Sequence, residues 1–473
     1  MAGEFGTCLF TAGTPAAVTI PDGPPLHFGR SSYSLLLWVK PMRIRRAYLD
    51  MAVEEQVRIA QESHSMSSPA VDFRIARLYT VHNGVFLRPG DAAGMDPASH
   101  TILRRRKHMK SICTLVLLLV LGPTPLFATG TLDFYFINSD VGNIVLVVTP
   151  AGQSMLLDAG PPEKRYLDRI LAAIKDAGVK QIDYVVISHY HWDHYGTIPA
   201  LAEKVSLRNY VDHGPNVELK EGDEAKLAAG GSTRNKQYDN YVKVRNKGNH
   251  IVAKPGDRLP LEGVDVQVVA SAGKVLSAPV KGGGGPNPAC WLTKLFGECE
   301  QEDAQSLGVL VEFGKFRFID MGDLPWNVSY RLFCPENKIG PVDLYLITHH
   351  ALSLEKEACG EAEESASACP PCEVYGLRPR VAILSAAEDY ITRLSTPRAW
   401  QTVRLSPGLQ DIWQLHYQAQ GGPHNNAREQ FIACFNAATS KGGDWIKASA
   451  EADGSFTVTN KRNGFTKTYP ARK

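Results

Sequence analysis

The stretch that decides the fold is Ile182 to Gly196, which reads I-D-Y-V-V-I-S-H-Y-H-W-D-H-Y-G. Its first part, Tyr184 to Ile187, is apolar and β-branched, which predicts a buried strand. The residues with metal-binding side chains that follow it are His189, His191, Asp193 and His194. Their spacing predicts a loop at a sheet edge, on which alternate side chains turn towards one point.

These four residues predict two metal ions. His189 and His191 form one predicted site, because imidazole is a ligand that suits Zn²⁺. Asp193 and His194 are adjacent in sequence and cannot both reach that same ion without strain. They therefore predict a second ion about 3.5–4 Å from the first.

The pattern H-x-H-x-D-H at residues 189–194 resembles the signature of the metallo-β-lactamase superfamily of hydrolases. The resemblance implies an α/β fold, a four-layer αββα sandwich of two mixed β-sheets, with residues 131–473 as one domain. It also implies two divalent ions, Zn²⁺ with Mn²⁺ tolerated, and hydrolysis by a metal-activated water. Asp193 is expected to orient that water as well as to bind metal.

A hairpin precedes the motif. Residues 144–149 and 154–158 are apolar runs on either side of P-A-G-Q, which predicts two strands and a turn. The hairpin ends in L-L-D-A-G at residues 156–160, which resembles the branch related to the soluble hydrolase domain of bacterial competence proteins. The resemblance implies that Asp158 supports the metal loop by hydrogen bonds, with a plain turn aspartate as the alternative.

A second predicted hairpin covers residues 306–324 and ends in G-D. It resembles the later G-D element of the family, whose aspartate bridges the two metals. The resemblance implies this role for Asp323, and Asp320 is the competing candidate.

The segment V-D-L-Y-L-I-T-H-H at residues 342–350 has the same sequence pattern as the strand that leads into His189, an apolar run that ends in histidine. Aligning the two segments favours His349 as the last metal ligand. His350 is then its substitute or a proton donor. The spacing leaves both assignments open.

The first metal site lacks an obvious third histidine. Between His194 and Asp323 the chain has only His213 and His250. A carboxylate, amide or water is therefore expected to complete the site. Polar residues before the second hairpin are Asp303, Gln305 and Ser306. His213 follows a predicted strand and is a candidate substrate contact, with a solvated loop residue as the alternative.

An oxygen-rich site tolerates Mn²⁺ and favours a phosphodiester or related ester as substrate, with nucleic acid in that class. The formal net charge of +2 gives no global sign of a polyanion partner. Basic residues of the polar segment 218–250 that could contact phosphate are Lys226, Arg234, Lys236, Lys243 and Arg245. The alternatives are a lactone, thioester or β-lactam hydrolase, or an exported binding protein with a decayed metal site.

Residues 109–129 have the layout of a secretory signal peptide, with basic residues before the apolar run 111–122 and small residues near Ala128. This predicts a periplasmic or extracellular protein without a stable membrane span once the signal is removed. A buried helix or a single membrane anchor is the alternative. Residues 1–108 then read as upstream, non-native sequence or as a poorly ordered extension.

The nine cysteines are too sparse for a disulfide scaffold. In an exported protein, Cys369 is expected to pair with Cys372, and Cys290 with Cys299. A redox role for C-x-x-C is the alternative. Residues 355–373 differ in composition from their surroundings, which predicts a variable loop or a local reading-frame error.

Overall fold

The computed structural model describes residues 17–18, 26–27, 130–140, 142–218, 233–293, 295, 301–351, 368–386, 397–418, 425–435 and 445–472. The chain divides into two compact units, Met1–Lys110 and Ser111–Lys473. In the first unit the described residues are two short antiparallel strands, β1 Ala17–Val18 and β2 Leu26–His27. The rest of the predicted extension and the whole predicted signal lie outside the described residues.

The first strands of the second unit are β3 Leu132–Ile137, β4 Val145–Val148, β5 Ser154–Leu157, β6 Gln181–Val186, β7 Ser206–Asp212, β8 Asn249–Val252, β9 Arg258–Leu259, β10 Asp265–Ser271, β11 Lys274–Val275 and β12 Gly285–Pro286. The later strands are β13 Gly308–Phe313, β14 Phe316–Asp320, β15 Glu336–Asn337, β16 Leu344–Leu346, β17 Val381–Leu384, β18 Asp411–His416, β19 Ile432–Cys434, β20 Trp445–Ala450, β21 Phe456–Asn460 and β22 Thr466–Tyr469.

The helices are α1 Lys164–Asp176, α2 Trp192–Tyr195, α3 Ile198–Ala202, α4 Thr233–Arg245, α5 Trp326–Phe333, α6 Pro371–Leu377 and α7 Pro397–Arg404. Short 3₁₀ helices cover Pro288–Leu292, Glu302–Gln305, Thr348–Ala351 and Glu429–Phe431. In the parts of the chain that the structure describes, no helix has both the length and the apolar character that a membrane crossing requires.

Two large sheets form the centre of the second unit. The first has the strand order β22-β21-β20-β3-β4-β5-β6-β7-β8. It is antiparallel from β22 to β5 and parallel from β5 to β8. The second has the order β11-β10-β13-β14-β16-β17-β18-β19, with β9 also paired to β10. It is antiparallel from β11 to β14 and parallel from β14 to β19. Both sheets are therefore mixed.

Alternation along the strands produces three apolar layers. In β3, Phe134 and Phe136 point into the core between the sheets, while Tyr135 and Ile137 point to the helices outside. The Phe134 ring meets that of Phe318 from the second sheet at a centroid distance of 4.6 Å. Because both faces of this strand are covered, nearly every position in it is apolar. The predicted four-layer αββα sandwich is confirmed.

Helices cover the outer face of each sheet. Helix α1 places Ile170 and Ile174 one turn apart against the first sheet. Helix α4 lies in the segment predicted as a polar insertion, yet its Tyr238 and Tyr241 are buried in the same cluster. Helices α5 and α6 pack on the second sheet. The second half of the predicted insertion is therefore part of the core.

Both predicted disulfides are wrong. Cys290 is bonded to Cys334 and not to Cys299. The Asn287 side chain donates to the Phe333 carbonyl oxygen at 3.0 Å, which holds the two backbone segments at bonding distance. Cys369 and Cys372 are free thiols, and both are buried in the core around α6. The end of the compositionally unusual segment is thus an ordinary packed part of the domain.

Candidate metal centre

The histidine loops follow two parallel strands, β6 in the first sheet and β16 in the second. A main-chain bond joins the two sheets at this edge, since Leu307 N donates to the Ser188 carbonyl at 2.7 Å. Within the second sheet, His349 N donates to the Gly322 carbonyl at 3.1 Å, which links the loops after β14 and β16. Segments that are far apart in sequence thereby place their side chains around one point.

One ligand set contains His189, His191 and Asp303. Asp303 Oδ1 lies 2.9 Å from His191 Nδ1 and 3.4 Å from His189 Nε2. Asp303 belongs to the 3₁₀ helix Glu302–Gln305, directly before β13. The position for which the sequence offers no third histidine therefore holds a carboxylate.

A second set contains Asp193, His194 and His350. Asp193 and His194 lie on the single turn of α2, whose start directly after His191 separates the two sets. Gly142 makes room for this turn, because a Cβ there would lie 1.8 Å from the Asp193 carbonyl oxygen. These three residues could hold an ion beside the first set, and the number of ions stays a prediction.

Asp323 lies between the two sets. Its Oδ2 is 3.2 Å from His194 Nε2, 3.5 Å from His350 Nε2, 3.6 Å from His349 Nε2 and 3.8 Å from His189 Nε2. Asp320, the competing candidate, is the last residue of β14, and its Oδ1 accepts a hydrogen bond from Gly322 N at 2.9 Å. Among the described residues, the four-way approach to imidazoles gives Asp323 the position of a bridging ligand.

Asp158 supports the loop from behind, the position implied by the family resemblance. Its two oxygens accept hydrogen bonds from Ser188 N and Ser188 Oγ, each at 2.7 Å. Oδ2 also lies 2.7 Å from His194 Nδ1. Ser188 Oγ in turn lies 3.0 Å from His189 Nδ1. These bonds place an N–H of both rings on Nδ1 and turn Nε2 of each towards Asp323.

His349, His350 and Ala351 form a left-handed turn, with φ values of 49°, 54° and 59°. This conformation is costly for residues with a side chain, so the surroundings must hold it. His350 Nδ1 lies 2.8 Å from the Ser385 carbonyl, which only accepts, so Nδ1 donates and Nε2 faces the second set. His349 instead groups with Asp303 and Asp323.

The charges around the centre are strongly coupled. Burial lowers the pKa of His189 well below its ordinary value, and the neighbouring His194 and His191 add to this effect. Burial also lowers the pKa of His191, but the Asp303 carboxylate outweighs it and raises this pKa to about 11. Burial opposes ionisation of Asp323, yet the surrounding imidazoles hold its pKa well below its usual range. The Asp323 carboxylate therefore stays ionised and attracts cations.

Several buried atoms in the middle of the centre have no hydrogen-bond partner among the described residues. They include His194 Nε2, Asp303 Oδ1 and Asp323 Oδ1. A buried polar atom without a partner is costly, and a metal ion is one way to satisfy it. Imidazole nitrogens and carboxylate oxygens are also the donors that Zn²⁺ and Mn²⁺ take in proteins. The residues present therefore fit a pair of divalent ions.

His213, the predicted substrate contact, is buried with a side-chain exposure of 1%. Its Nε2 lies 3.0 Å from Glu302 Oε2, beneath the metal loop and not on the cleft surface. His250 lies on the edge strand β8, with Nε2 2.8 Å from Asp212 Oδ1. Neither histidine takes part in the ligand groups of the described residues.

Ser385 and Glu302 are functional neighbours that the sequence analysis missed. Ser385 follows β17, the parallel neighbour of β16, so a hydroxyl residue at a third strand end was the available signal. Glu302 has no local signal, because its partners are 85 to 112 residues away in sequence.

A family model described as the metallo-beta-lactamase superfamily matches residues 138–293. The domain has the metallo-beta-lactamase fold. The match covers about a third of the chain and agrees with the predicted superfamily, but membership of that superfamily stays a prediction. The resemblance to the competence-protein branch stays a prediction. No curated protein matches the chain.

The solved structures that the chain resembles are distant from it. The metallo-beta-lactamase fold protein YhfI from Bacillus subtilis is 11% identical, with 60% of this chain and 96% of that chain covered and a TM-score of 0.35. CmlA, a diiron beta-hydroxylase from Streptomyces venezuelae, is 14% identical, with 59% and 47% covered and a TM-score of 0.32. A mutant form of CmlA is also 14% identical, with 62% and 53% covered and a TM-score of 0.36. The chain thus spans about half the length of CmlA.

Proposed function

We propose that this protein is a metal-dependent hydrolase that cleaves a phosphodiester or a related ester. The observation that carries the proposal is the pair of ligand sets on either side of Asp323, whose Oδ2 lies within 3.2–3.8 Å of four imidazole nitrogens. When bound, two divalent ions in such a centre activate a water and stabilise charge on the attacked and leaving oxygens.

The residues of this chain have distinct roles in the proposal. His189, His191 and Asp303 hold the first ion, and Asp193, His194 and His350 hold the second. Asp323 bridges the two sets. Asp193 is also the carboxylate placed to orient a water and to accept its proton. Asp158 keeps the rings in the tautomers that ligands need.

The proposal reverses the roles expected for the two adjacent histidines. His350 is fully buried at its ring and bonded through Nδ1, so it acts as the ligand. His349 has a side-chain exposure of 10% and lies on the side of Asp303, which suits contact with substrate or donation of a proton to the leaving group.

Oxygen donors support the choice of substrate. Asp303 fills the position of a third histidine, and Asp193 and Asp323 add further carboxylates. Because carboxylate oxygens are ligands that suit Mn²⁺, the centre should bind Mn²⁺ as well as Zn²⁺. His191, with 30% of its side chain exposed, and Glu218, with 35%, mark the open side where substrate enters. Arg245 does not contribute a phosphate contact, because it is buried and lies 3.4 Å from Asp212.

The test is a hydrolase screen on purified protein with bis-p-nitrophenyl phosphate, a lactone, a thioester and a β-lactam, each with and without Mn²⁺ or Zn²⁺. We expect phosphodiester turnover that Mn²⁺ stimulates. His189→Ala and Asp193→Ala should each abolish it, whereas Asp265→Asn, at a half-buried aspartate outside both sets, should not. Turnover of the lactone or β-lactam alone would refute the substrate class, and full activity of either alanine variant would refute the site.

A second candidate function rests on the composition of the first ligand set. Two histidines and one carboxylate, His189, His191 and Asp303, form the combination found at non-haem iron sites that activate oxygen. Iron as the resident metal after expression, with oxygen uptake and no hydrolysis in the screen, would favour this function. Zinc or manganese with hydrolysis would exclude it.

We also propose that the protein is exported. The Cys290–Cys334 bond supports this, because disulfides persist mainly in oxidising compartments. Mass spectrometry of the mature protein tests the proposal. A peptide from within residues 1–108 in that protein would contradict removal of the predicted signal.

A further inference from the structure

Glu302 is a fully buried carboxylate that has no role in the proposed chemistry. Its Oε2 accepts a hydrogen bond from Tyr190 N at 3.0 Å and lies 3.0 Å from His213 Nε2. Its Oε1 accepts from Val217 N at 2.6 Å. A buried charge is retained only where such bonds replace water, so these three contacts hold Glu302 in one position.

The contacts of Glu302 join the two parts of the first ligand set. Tyr190 lies between His189 and His191, so the bond to its main-chain nitrogen fixes the backbone that carries both rings. Asp303 is the next residue after Glu302, so the same carboxylate also fixes the backbone of the third ligand. His189 and His191 follow a strand of the first sheet, whereas Asp303 lies in the segment that leads into the second sheet.

A second connection strengthens this arrangement. Glu302 N donates to Glu218 Oε1 at 3.1 Å, and Glu218 Oε2 lies 3.6 Å from His191 Nε2. The Tyr190 side chain donates through its hydroxyl to the Gly214 carbonyl at 2.7 Å. The loop after β7 is thereby tied to the metal loop at several points, and Glu302 is their common partner.

We propose that Glu302 is the positioning residue of the first metal site: it holds His189, His191 and Asp303 at ligand spacing and sets the affinity of this set for a divalent cation. The inference rests on the proposed function only in taking these three residues as ligands. It does not depend on which bond the enzyme cleaves.

Glu373 provides a matched control, because it is the corresponding buried carboxylate behind the other histidine turn. It accepts hydrogen bonds from Ser329 Oγ at 2.5 Å, Tyr345 OH at 2.6 Å and Thr348 Oγ1 at 2.8 Å. Thr348 begins the turn that carries His350, the ligand of the second set. Loss of the Glu373 contacts should therefore affect the second set and not the first.

The experiment compares metal binding by the wild type, Glu302→Ala, Glu302→Gln and Glu373→Gln in the full chain. Chelated protein is titrated with Mn²⁺ and with Zn²⁺, and bound ions are counted by mass spectrometry. We expect Glu302→Ala to bind one of the two ions about 10–100-fold more weakly and to leave the other unchanged, since residues that orient ligands have effects of this size.

Glu302→Gln should lose less affinity than the alanine variant. Its amide oxygen can still accept from Tyr190 N and His213, whereas its amide nitrogen faces the Val217 N–H. The ion whose affinity falls in Glu302→Ala should be the same ion that Asp303→Ala no longer binds. The double variant should therefore bind this ion no more weakly than Asp303→Ala alone. Glu373→Gln should weaken the other ion.

Binding of both ions to a folded Glu302→Ala variant with wild-type affinity would overturn the inference. Equal weakening of both ions would do the same, because it would indicate a general structural role. If Glu302→Ala fails to fold, Glu302→Gln and His213→Ala are tested in its place. Metal affinity equal to that of the wild type in both variants would overturn the inference. A wild type that binds two ions but hydrolyses nothing in the screen would refute the proposed function and leave the role of Glu302 intact.

Discussion

Asp323 makes one centre out of two ligand sets. It is buried, and its carboxylate is approached by imidazoles from both histidine loops. Gly322 brings it there, because a Cβ at this position of positive φ would lie 2.7 Å from the Ser188 Cβ. Only a residue without a side chain lets the loop after β14 come this close to the metal loop.

The two adjacent histidines can be separated by mutation. His350→Ala should lower metal content more than His349→Ala, because the His350 ring is locked by the Ser385 carbonyl with Nε2 towards the second set. His349→Ala should chiefly lower the turnover rate. Elemental analysis of both variants checks this, with His250→Ala as the control histidine outside both sets. The reverse order would return the ligand role to His349.

Asp320 should give the metal-free protein a pH-dependent stability. Burial, and then the nearby Asp158 charge, raise the pKa of Asp320 from 3.8 to about 7. The folded state therefore binds this proton more tightly than the unfolded state. The resulting stability is fully present below about pH 4 and is lost as the pH rises through 7, at about 1.4 kcal/mol per pKa unit.

Asp320→Asn keeps a neutral side chain that can still accept from Gly322 N, so it should remove this dependence. In chelated protein we expect the variant to be more stable than wild type above pH 7 and similar near pH 4. Denaturant unfolding across this range measures the difference. Parallel pH profiles for the two proteins would contradict the assignment.

At the scale of elements, the two histidine loops are built alike. Each follows a parallel strand, and each begins with a hydroxyl residue bonded to a buried carboxylate. Ser188 is bonded to Asp158, and Thr348 is bonded to Glu373. The strand ends position the loops, and each carboxylate holds the first residue of its loop. This explains how loops can present ligands with the rigidity that a metal centre needs.

The disulfide ties the 3₁₀ helix Pro288–Leu292 to the end of α5. It closes a loop with a sequence separation of 44 residues. Its loss should lower the free energy of unfolding by about 3–4 kcal/mol, mainly by freeing the unfolded chain. A Cys290→Ser, Cys334→Ser double variant should unfold at lower denaturant concentration than wild type.

Reductant supplies the control for this prediction. It should lower the stability of the wild type and leave that of the double variant unchanged. A wild type that reductant does not affect would indicate that the two thiols are not joined in solution.

At the scale of the whole molecule, the described strands of both large sheets lie between residues 132 and 469. The core between the sheets uses residues from both ends of this range, since Leu132 and Tyr469 belong to one cluster. The C-terminal hairpin completes the first sheet by pairing β20 with β3. The sandwich therefore needs both ends of this range to close.

A chain shortened to residues 130–473 should bind the same number of ions as the full chain and unfold at the same temperature within about 2 °C, because the packed layers are retained. Calorimetry and metal analysis on both chains check this. A further cut after residue 443 should abolish folding, because it removes β20, β21 and β22. A shortened chain that aggregates or loses metal would show that the first 129 residues contribute.

The sequence by itself determined the elements with local signals. The strand before His189, the hairpin of β4 and β5 and the hairpin of β13 and β14 follow from periodicity and turn residues. The sandwich class followed from the resemblance of the motif to a known family. The strand and the hairpins depend on neighbours within a few residues, so the order of amino acids is enough to predict them.

Only the tertiary structure decided which distant residues meet. Asp303 joins His189 and His191 although it is more than one hundred residues away, and Glu302 is bonded to Tyr190 across 112 positions. Cys290 lies beside Cys334, and the left-handed turn decides which way His349 and His350 face. Such contacts depend on the packing of two sheets against each other, and no local pattern encodes that packing.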